Sequence, residues 1–587
     1  MNFKLYWSLR AQPIVACFLL SGFVICWYLL LNPYLSFTYR EQSQMFLFSQ
    51  DYFLNYLNLP GGLTSYASSF LIQFFYYRLL GAMVYLGIFL WIYATFKRVL
   101  RKLSLVDNSF FIAFIPGLLF LPASSYLLFD IADEIAVIIV LYGFISLSKL
   151  VQNRFYYVLI PLCITILYVL AGGNVLLSLT LLLISPLPSF QRKLRNEIKL
   201  IAVFSLFIPL ILWHFFYLHS FMDTCYTLTP FRYPDVQFYD FRVFGCLSVV
   251  AIPVIGMLFK NIRTGKKWIF IGNILLAVAI LIVIVREYRP DFDNIIKMGL
   301  DAENHRWEDI IATSKKTSVS PLNCFYTNLA LQKTGQMAEK MFNYEQIGTS
   351  GLFLDLEDHL SCQAKSEWFY QMGLINAAQH FSFESLVGYS HIKEPNIRNM
   401  KRLLDYAVIR QDSCLSAKYE KILNKTLFYN KEQRIYPCYP IPIRMKDIFI
   451  RDMPVLLESI MEDNSDNQAI FEYLMAYYLL ERNYDQAKKC YDRYYSNFHY
   501  SHIPVHYAEF LTLYKRIKNV DDSFYEQYPV SKEIRERFDM IDILLSTQMT
   551  KQIQKALEDG FKNTYWFYVK FPLINVQAAN KDEKNIY

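Results

Sequence analysis

Charge is scarce in this sequence. Asp, Glu, Lys and Arg make up 19% of its 587 residues, against about 25% in ordinary soluble domains. That deficit excludes a disordered chain and argues against a simple soluble enzyme. No Cys-x-x-Cys pair occurs among the ten cysteines, so zinc-type spacing is missing. Gly172-Gly173 lacks the flanking pattern of a phosphate-binding loop. Strand-like alternation is rare after Asp291. Neither a cofactor nor a metal site is expected.

Apolar residues fill the space that charge leaves: 54% of the chain is hydrophobic and 17% aromatic. They divide sharply near Arg286. Upstream, nine apolar runs approach the ~20 residues that a bilayer core demands. They are Ile14–Leu31, Leu79–Phe96, Phe110–Phe129, Ile135–Leu147, Tyr156–Ala171, Val175–Pro188, Leu200–Leu218, Gly245–Phe259 and Trp268–Val285. Sixteen basic residues fall in alternate loops, among them Lys97, Arg98, Arg101, Lys102, Arg192 and Lys260, whereas the opposite loops hold only Arg40, Arg78, Arg232 and Arg242. This is the positive-inside asymmetry. It accounts for the net charge of +7 without nucleic acid and places the N-terminus in the cytoplasm. An odd number of spans puts everything after Arg286 outside it. The first run is longer than a signal-peptide core of about 7–15 residues and lacks a small-residue cleavage site near Leu31–Tyr34, so it reads as an anchor. Cys17, Cys26, Cys163 and Cys246 lie within runs as small apolar filler. Cys225, Cys324, Cys362, Cys414, Cys438 and Cys490 would meet an oxidising space, and spacing alone pairs none of them.

The fold expected is all-α: a polytopic membrane domain over 1–286, then a helical domain over 287–587. In the second half, Ala302–Ser314, Leu322–Lys333 and a start at Met337 read as helices. Asn328–Gly335 fits the second helix of a helix–turn–helix repeat, and Ala469–Arg482 with Asp485–Tyr495 makes a clearer pair. Tyr473, Ala476, Leu480, Ala487 and Tyr491 fall on helical faces, which resembles tetratricopeptide repeats and an α-solenoid built from them. An irregular helical domain is the plainer alternative.

Ionisable groups at the outer ends of the spans stand out against so apolar a background. The first outer loop holds Arg40, Glu41 and Asp51, then Asn58-Leu-Pro-Gly-Gly62 and an aromatic-rich stretch suited to the membrane interface, with Arg78 at the mouth of the next span. The second is a short loop with Asp130, Asp133 and Glu134. The fourth, Ser220–Phe244, carries Asp223, Arg232, Asp240 and Arg242 among tyrosines. A carboxylate at a membrane face can take a proton from an attacking hydroxyl. An arginine fork suits a leaving phosphate. Each feature also has a structural reading. Glu41 and Asp51 can solvate a loop, the Asp130–Glu134 acids can cap a helix, Arg78 can snorkel, and His214 and His219 can sit at an interface.

This layout resembles the GT-C class of membrane glycosyltransferases, which carry an acidic first outer loop, interfacial helices and a second acidic site. Glu41 or Asp51 takes the first position, and Phe129-Asp-Ile-Ala-Asp-Glu134 the second. The tandem acidic motif of that class is absent, since Arg40 and Gln42 flank Glu41. The resemblance implies transfer of a sugar from a polyprenyl-phosphate donor to an acceptor at the outer face of a bacterial inner membrane, with the C-terminal domain in the periplasm. Glu41 would be the base, Asp133 would position the acceptor and Arg78 would bind phosphate. Asp51, Asp130, Glu134, Arg232 and Arg242 would be further substrate contacts. Leu59-Pro-Gly-Gly-Leu63, Phe70–Phe75 and Phe342-Asn-Tyr-Glu-Gln346 with Gly351-Leu352 are similar to a family of uncharacterised Bacteroidetes membrane proteins. The rival function is a non-catalytic scaffold, whose repeat domain would recruit an envelope protein or glycan. A transporter fits less well, because no charge pair lies at mid-span.

Overall fold

The computed structural model describes residue 15 and residues 17–571, leaving out 106–110, 152, 186–196, 198–199, 202, 218–219, 233–239, 259–274, 276–277, 287, 289, 356–357, 388–395, 430–451 and 547–550. The regular structure among them is entirely helical. The chain forms two compact units. The first comprises 1–293 and returns for 420–433; the second comprises 294–419 and 434–587.

In the first unit the helices used below are α1 (Gly62–Ile72), α2 (Arg78–Lys102), α3 (Ile115–Ala123), α4 (Ile131–Leu150), α5 (Tyr156–Ala171), α6 (Val175–Ile184) and α7 (Phe241–Leu258). Their cores follow from helical spacing. In α2, Tyr85, Ile88, Phe89, Ile92 and Phe96 form one buried stripe, while Leu79, Met83 and Trp91 on the other faces are exposed. A helix that is apolar on its outward face also is one suited to lipid.

Four helical runs among the described residues are long and apolar enough to cross a membrane, or five if a bent pair counts as one, in place of the nine runs read from the sequence. The runs fail for identifiable reasons. The first bends by 85° between Cys17–Leu31 and Tyr34–Gln42. Asn32 there leaves helical geometry (φ −126°, ψ 49°) and Pro33 follows it. The run Phe110–Phe129 supplies only the short apolar helix Ile112–Ala123, which stops after Pro122. Within Leu200–Leu218, residues 202 and 218 lie outside the described residues, and a 3-10 turn at Ser205–Phe207 precedes the helix Ile208–Phe216. Half of Trp268–Val285 lies outside the described residues, as do ten of the sixteen basic residues counted above.

The run Tyr156–Ile184 is interrupted at Gly172, whose φ of +56° is one that glycine adopts without strain. A Cβ at Gly172 would also stand 2.5 Å from the Thr227 carbonyl oxygen. Leu167 of α5 lies against Gly143 of α4, and Ala171 clusters with Ala132 and Ala136. Ser178 of α6 then bonds back to the Val140 carbonyl at 2.8 Å.

The second unit is built of helical hairpins. The helices used below are α8 (Pro290–Glu303, whose first turn holds the division), α9 (Trp307–Ser314), α10 (Pro321–Lys333), α11 (His359–Gln371), α12 (Ile375–Val387), α13 (Ile397–Ile409), α14 (Ser413–Leu423, which leads back to the first unit), α15 (Gln468–Leu480), α16 (Tyr484–Tyr494), α17 (Val505–Lys518) and α18 (Tyr565–Lys570). Six helices end on one left-handed residue: His305, Gly335, Gly373, Gln411, Arg482 and Asn519. At each, the next N–H reaches back five residues, as in Gln336 to Leu331 (2.7 Å), Leu374 to Phe369 (2.9 Å) and Asn483 to Tyr478 (2.9 Å). This is the Schellman closure, which satisfies helix-end carbonyls locally.

The reading of Ala302–Ser314 as one helix is thus corrected: His305 splits it into α8 and α9. Asn328–Gly335 spans the C-terminal half of α10 and its turn; α10 packs against α9 before it and leads through Gly335 into Met337–Lys340. The pair at Ala469–Tyr495 is seen as α15 and α16, with Asn483 capping the latter through Gln486 N. None of the nine described cysteines is in a disulfide, and Cys438 lies outside the described residues.

Candidate functional site

Asp130 stands just before α4 in extended geometry (φ −128°, ψ 133°), and its Oδ1 accepts the Ala132 N–H at 2.8 Å. It is an N-cap, and Asp133 and Glu134 fill the first turn, where the helix dipole favours negative charge. Ser68 of α1 donates to the same Oδ1 at 2.8 Å. Arg232 arrives from the fourth loop. Its Nη2 lies 3.2 Å from Asp130 Oδ2 and 3.2 Å from Asp133 Oδ1. Burial divides these groups: the Asp133 side chain is 1% exposed, Arg232 23% and Asp130 34%. Glu134 is buried, within electrostatic reach of Asp133, Asp130 and Arg40. In so dry a setting a charge costs several kcal/mol unless paired, and the bridging guanidinium supplies one partner to both aspartates.

The other residues singled out from the sequence go elsewhere. Glu41 is buried, and both its oxygens accept from the Tyr429 hydroxyl, at 2.8 and 2.7 Å. Arg78 is exposed, its guanidinium 4.7 Å from the centre of the Tyr34 ring. Asp51 is exposed in the first turn of the short helix Gln50–Tyr56. Arg242 forms a buried pair with Asp240 (Nη2 to Oδ2 2.7 Å) and lies over the Tyr126 ring at 5.0 Å. His214 is on the nine-residue helix Ile208–Phe216. His219 lies outside the described residues. The structure therefore gathers Asp130, Asp133, Glu134 and Arg232, and leaves Glu41, Asp51, Arg78 and Arg242 at separate positions.

Of three further contributors, Ser68 and Tyr429 carried no signal of their own, whereas Arg40 stood among the outer-loop cations. Arg40 donates to the carbonyls of Ser124 (2.8 Å), Tyr126 (2.9 Å) and Phe129, which close the loop between α3 and α4. Ser68 is one hydroxyl among several on α1. Tyr429 comes from 388 residues further along the chain. The chain's return for 420–433 is what delivers it. No group of three or more His, Cys, Asp or Glu is placed to hold a metal ion among the described residues. The cluster is an acid–arginine site: one partly solvated carboxylate faces outward, held by an arginine whose second partner is buried.

These features define a class: an all-helical protein with helices apolar enough for a membrane, a buried acid–arginine cluster at the end of one of them, and a second unit of helical hairpins. More particularly, the chain belongs to the family of unknown function DUF6057, whose model matches residues 6–572. No curated protein and no solved structure matches the chain.

Proposed function

We propose that the protein is a membrane transferase of GT-C type, moving a sugar from a polyprenyl-phosphate donor to an acceptor at the outer face of a bacterial inner membrane. The observation that carries this reading is the Arg232 bridge between Asp130 and Asp133 at the N-terminal end of α4. Asp130 is the better base of the two, because it is partly solvated and a carboxylate has lone pairs to spare after accepting from Ser68, Ala132 and Arg232. The acceptor hydroxyl attacks the anomeric carbon and gives its proton to Asp130. The bond from that carbon to the phosphate oxygen breaks, and the polyprenyl phosphate departs toward Arg232. Asp133, buried, holds the arginine in place. Glu41 is spoken for by Tyr429 and serves the loop.

The test is mass spectrometry of lipids co-purifying with the full chain in mild detergent. Polyprenyl phosphate should be enriched with the wild type and with Arg78→Ala, and depleted with Arg232→Lys. Asp130→Asn should retain the lipid and lose sugar transfer. Bulk phospholipid alone, the same in every variant, would overturn the reading.

One observation favours a second reading, a non-catalytic scaffold. Arg40, Arg242 and Glu41 are each engaged inside the protein, as a purely structural polar network requires. In that case the hairpins of the second unit stack as a TPR-like solenoid in the periplasm, and its extended surface recruits an envelope partner.

A further inference from the structure

A cavity of about 680 Å³ opens within the second unit. Its size falls in the range of small-molecule sites, roughly 300–1,000 Å³. One wall is the loop Phe342–Gln346, a stretch singled out in the sequence and left unused by the function proposed above. The opposite wall is Asn563 to Phe571, and the floor includes Asn323 and Cys324 of α10.

Both walls are held firmly. Gln346 is buried and donates to Met341 O (2.9 Å), while Asn328 Nδ2 donates to Gln346 Oε1 (3.0 Å). Cys324 Sγ donates to Glu345 O (3.2 Å). A buried pair on α17 braces one wall against the other. Phe342 N donates to His506 Nε2 (3.2 Å), which puts the ring proton on Nδ1, facing Glu509 Oε2 at 2.9 Å. The same carboxylate oxygen accepts the Tyr565 N–H at 2.9 Å, and the Glu509 carbonyl accepts Trp566 Nε1 at 2.7 Å. Lys562 and Glu345 close an ion pair of 2.9 Å between the two walls. A site ordered before its ligand arrives loses less on binding.

The lining joins aromatic faces to polar groups. Phe567 and Phe571, one turn apart with ring centres 4.8 Å from each other, are partly exposed, as is Tyr344. Asn343, Asn563 and Glu558 are at the solvent side. Two lysines are matched by two glutamates, which disfavours an anion. Among the described residues there is no strand edge to extend with a peptide. Polar residues interrupt the apolar surface that an amphipathic helix would need.

We propose that this cavity is a saccharide-binding site, taking a neutral sugar unit of a glycan. A pyranose carries an apolar face of C–H groups, suited to Phe567, Phe571 and Tyr344. Its equatorial hydroxyls both donate and accept, suited to the amides of Asn343 and Asn563 and the carboxylate of Glu558. The site stands apart from the transferase reading, since a sugar can bind here whether or not the first unit is a catalyst.

The experiment applies the full chain in detergent to an array of neutral mono- and oligosaccharides, beside Phe571→Ala and Asn563→Ala. Neither substituted side chain is fully buried, and thermal unfolding checks that both variants fold. The expected result is retention on one or more sugars, about tenfold weaker in Phe571→Ala through lost stacking and weakened in Asn563→Ala. Retention on no sugar overturns the proposal. So does retention that neither substitution alters.

Discussion

The two units close their helices in different proportion: six helices of the second end on one left-handed turn, whereas in the first α2 does so at Ser104, where Leu105 N–H reaches Leu100 O at 3.1 Å. In the second unit the carbonyls at helix ends are satisfied by the next few residues, through six copies of one left-handed turn. In the first unit distant groups do much of this work, as Lys333 on Gln371 O (2.9 Å) and Tyr565 on Leu479 O (3.0 Å) also do in the second. Arg40 serves Ser124, Tyr126 and Phe129. Gly61 N–H reaches Val169 O at 2.8 Å, and Gly173 N–H reaches Thr227 O at 3.0 Å. The difference in proportion follows from burial, since the Ser124 and Phe129 ends in the first unit are buried. Where water is excluded an unpaired backbone group costs several kcal/mol, so the protein must bring a partner from wherever one exists. A helix that ends in water needs only a local cap.

The sharpest way to break this contrast is Arg40→Ala. It strands three carbonyls and should cost about 3–5 kcal/mol, unfolding the first unit in detergent before the second. Hydrogen exchange measured unit by unit would show protection lost in α3 and α4 and retained in α11 and α12. Equal loss in both units would mean that their stabilities are not separable.

The second unit should instead be governed by its buried titratable groups. Burial pushes His359 down to about 4 from its ordinary 6.5. The unfolded chain then binds a proton between those values that the folded chain refuses, so stability is present above about pH 6.5 and is lost as pH falls toward 4. The loss is at most about 3 kcal/mol. His359→Gln should flatten that acid limb in chemical denaturation. Asp405 runs the other way. Burial, opposed by Arg402, raises it to about 6, so its contribution declines as pH rises toward 6, and Asp405→Asn should make the acid limb steeper. A common response in both variants would contradict these signs.

Smaller effects come from the turns. Gly373 has φ +79°, and Gly373→Ala should destabilise the second unit by about 1–2 kcal/mol. Gln411 is exposed at φ +59°, and Gln411→Gly should stabilise it by roughly 0.5–1 kcal/mol. Urea midpoints would check both, and an unchanged midpoint for Gly373→Ala would show that the turn relaxes freely.

Much of the second unit was legible because its signals are local. Gly335 marks a turn, and the apolar positions of α15 recur at helical spacing. His305, Gln411 and Arg482 were not legible as turns, because their residue types do not advertise a left-handed conformation. In the first unit the apolar runs showed where helices fall but not how many are long enough to cross. Pro33, Pro122 and Gly172 break them, and whether such a residue bends or ends a helix depends on what surrounds it.

The candidate site divides in the same way. The sequence by itself determined the helical class, the apolar first unit and the acidic start of α4, because each depends on residues adjacent in the chain. Only the tertiary structure decided that Arg232 bridges Asp130 and Asp133, that Tyr429 engages Glu41, and that Arg78 stands apart over Tyr34. Those pairings join residues as far as 388 positions apart. A charge in a dry interior takes whichever partner the packing of the helices brings within reach, and no local pattern encodes that choice.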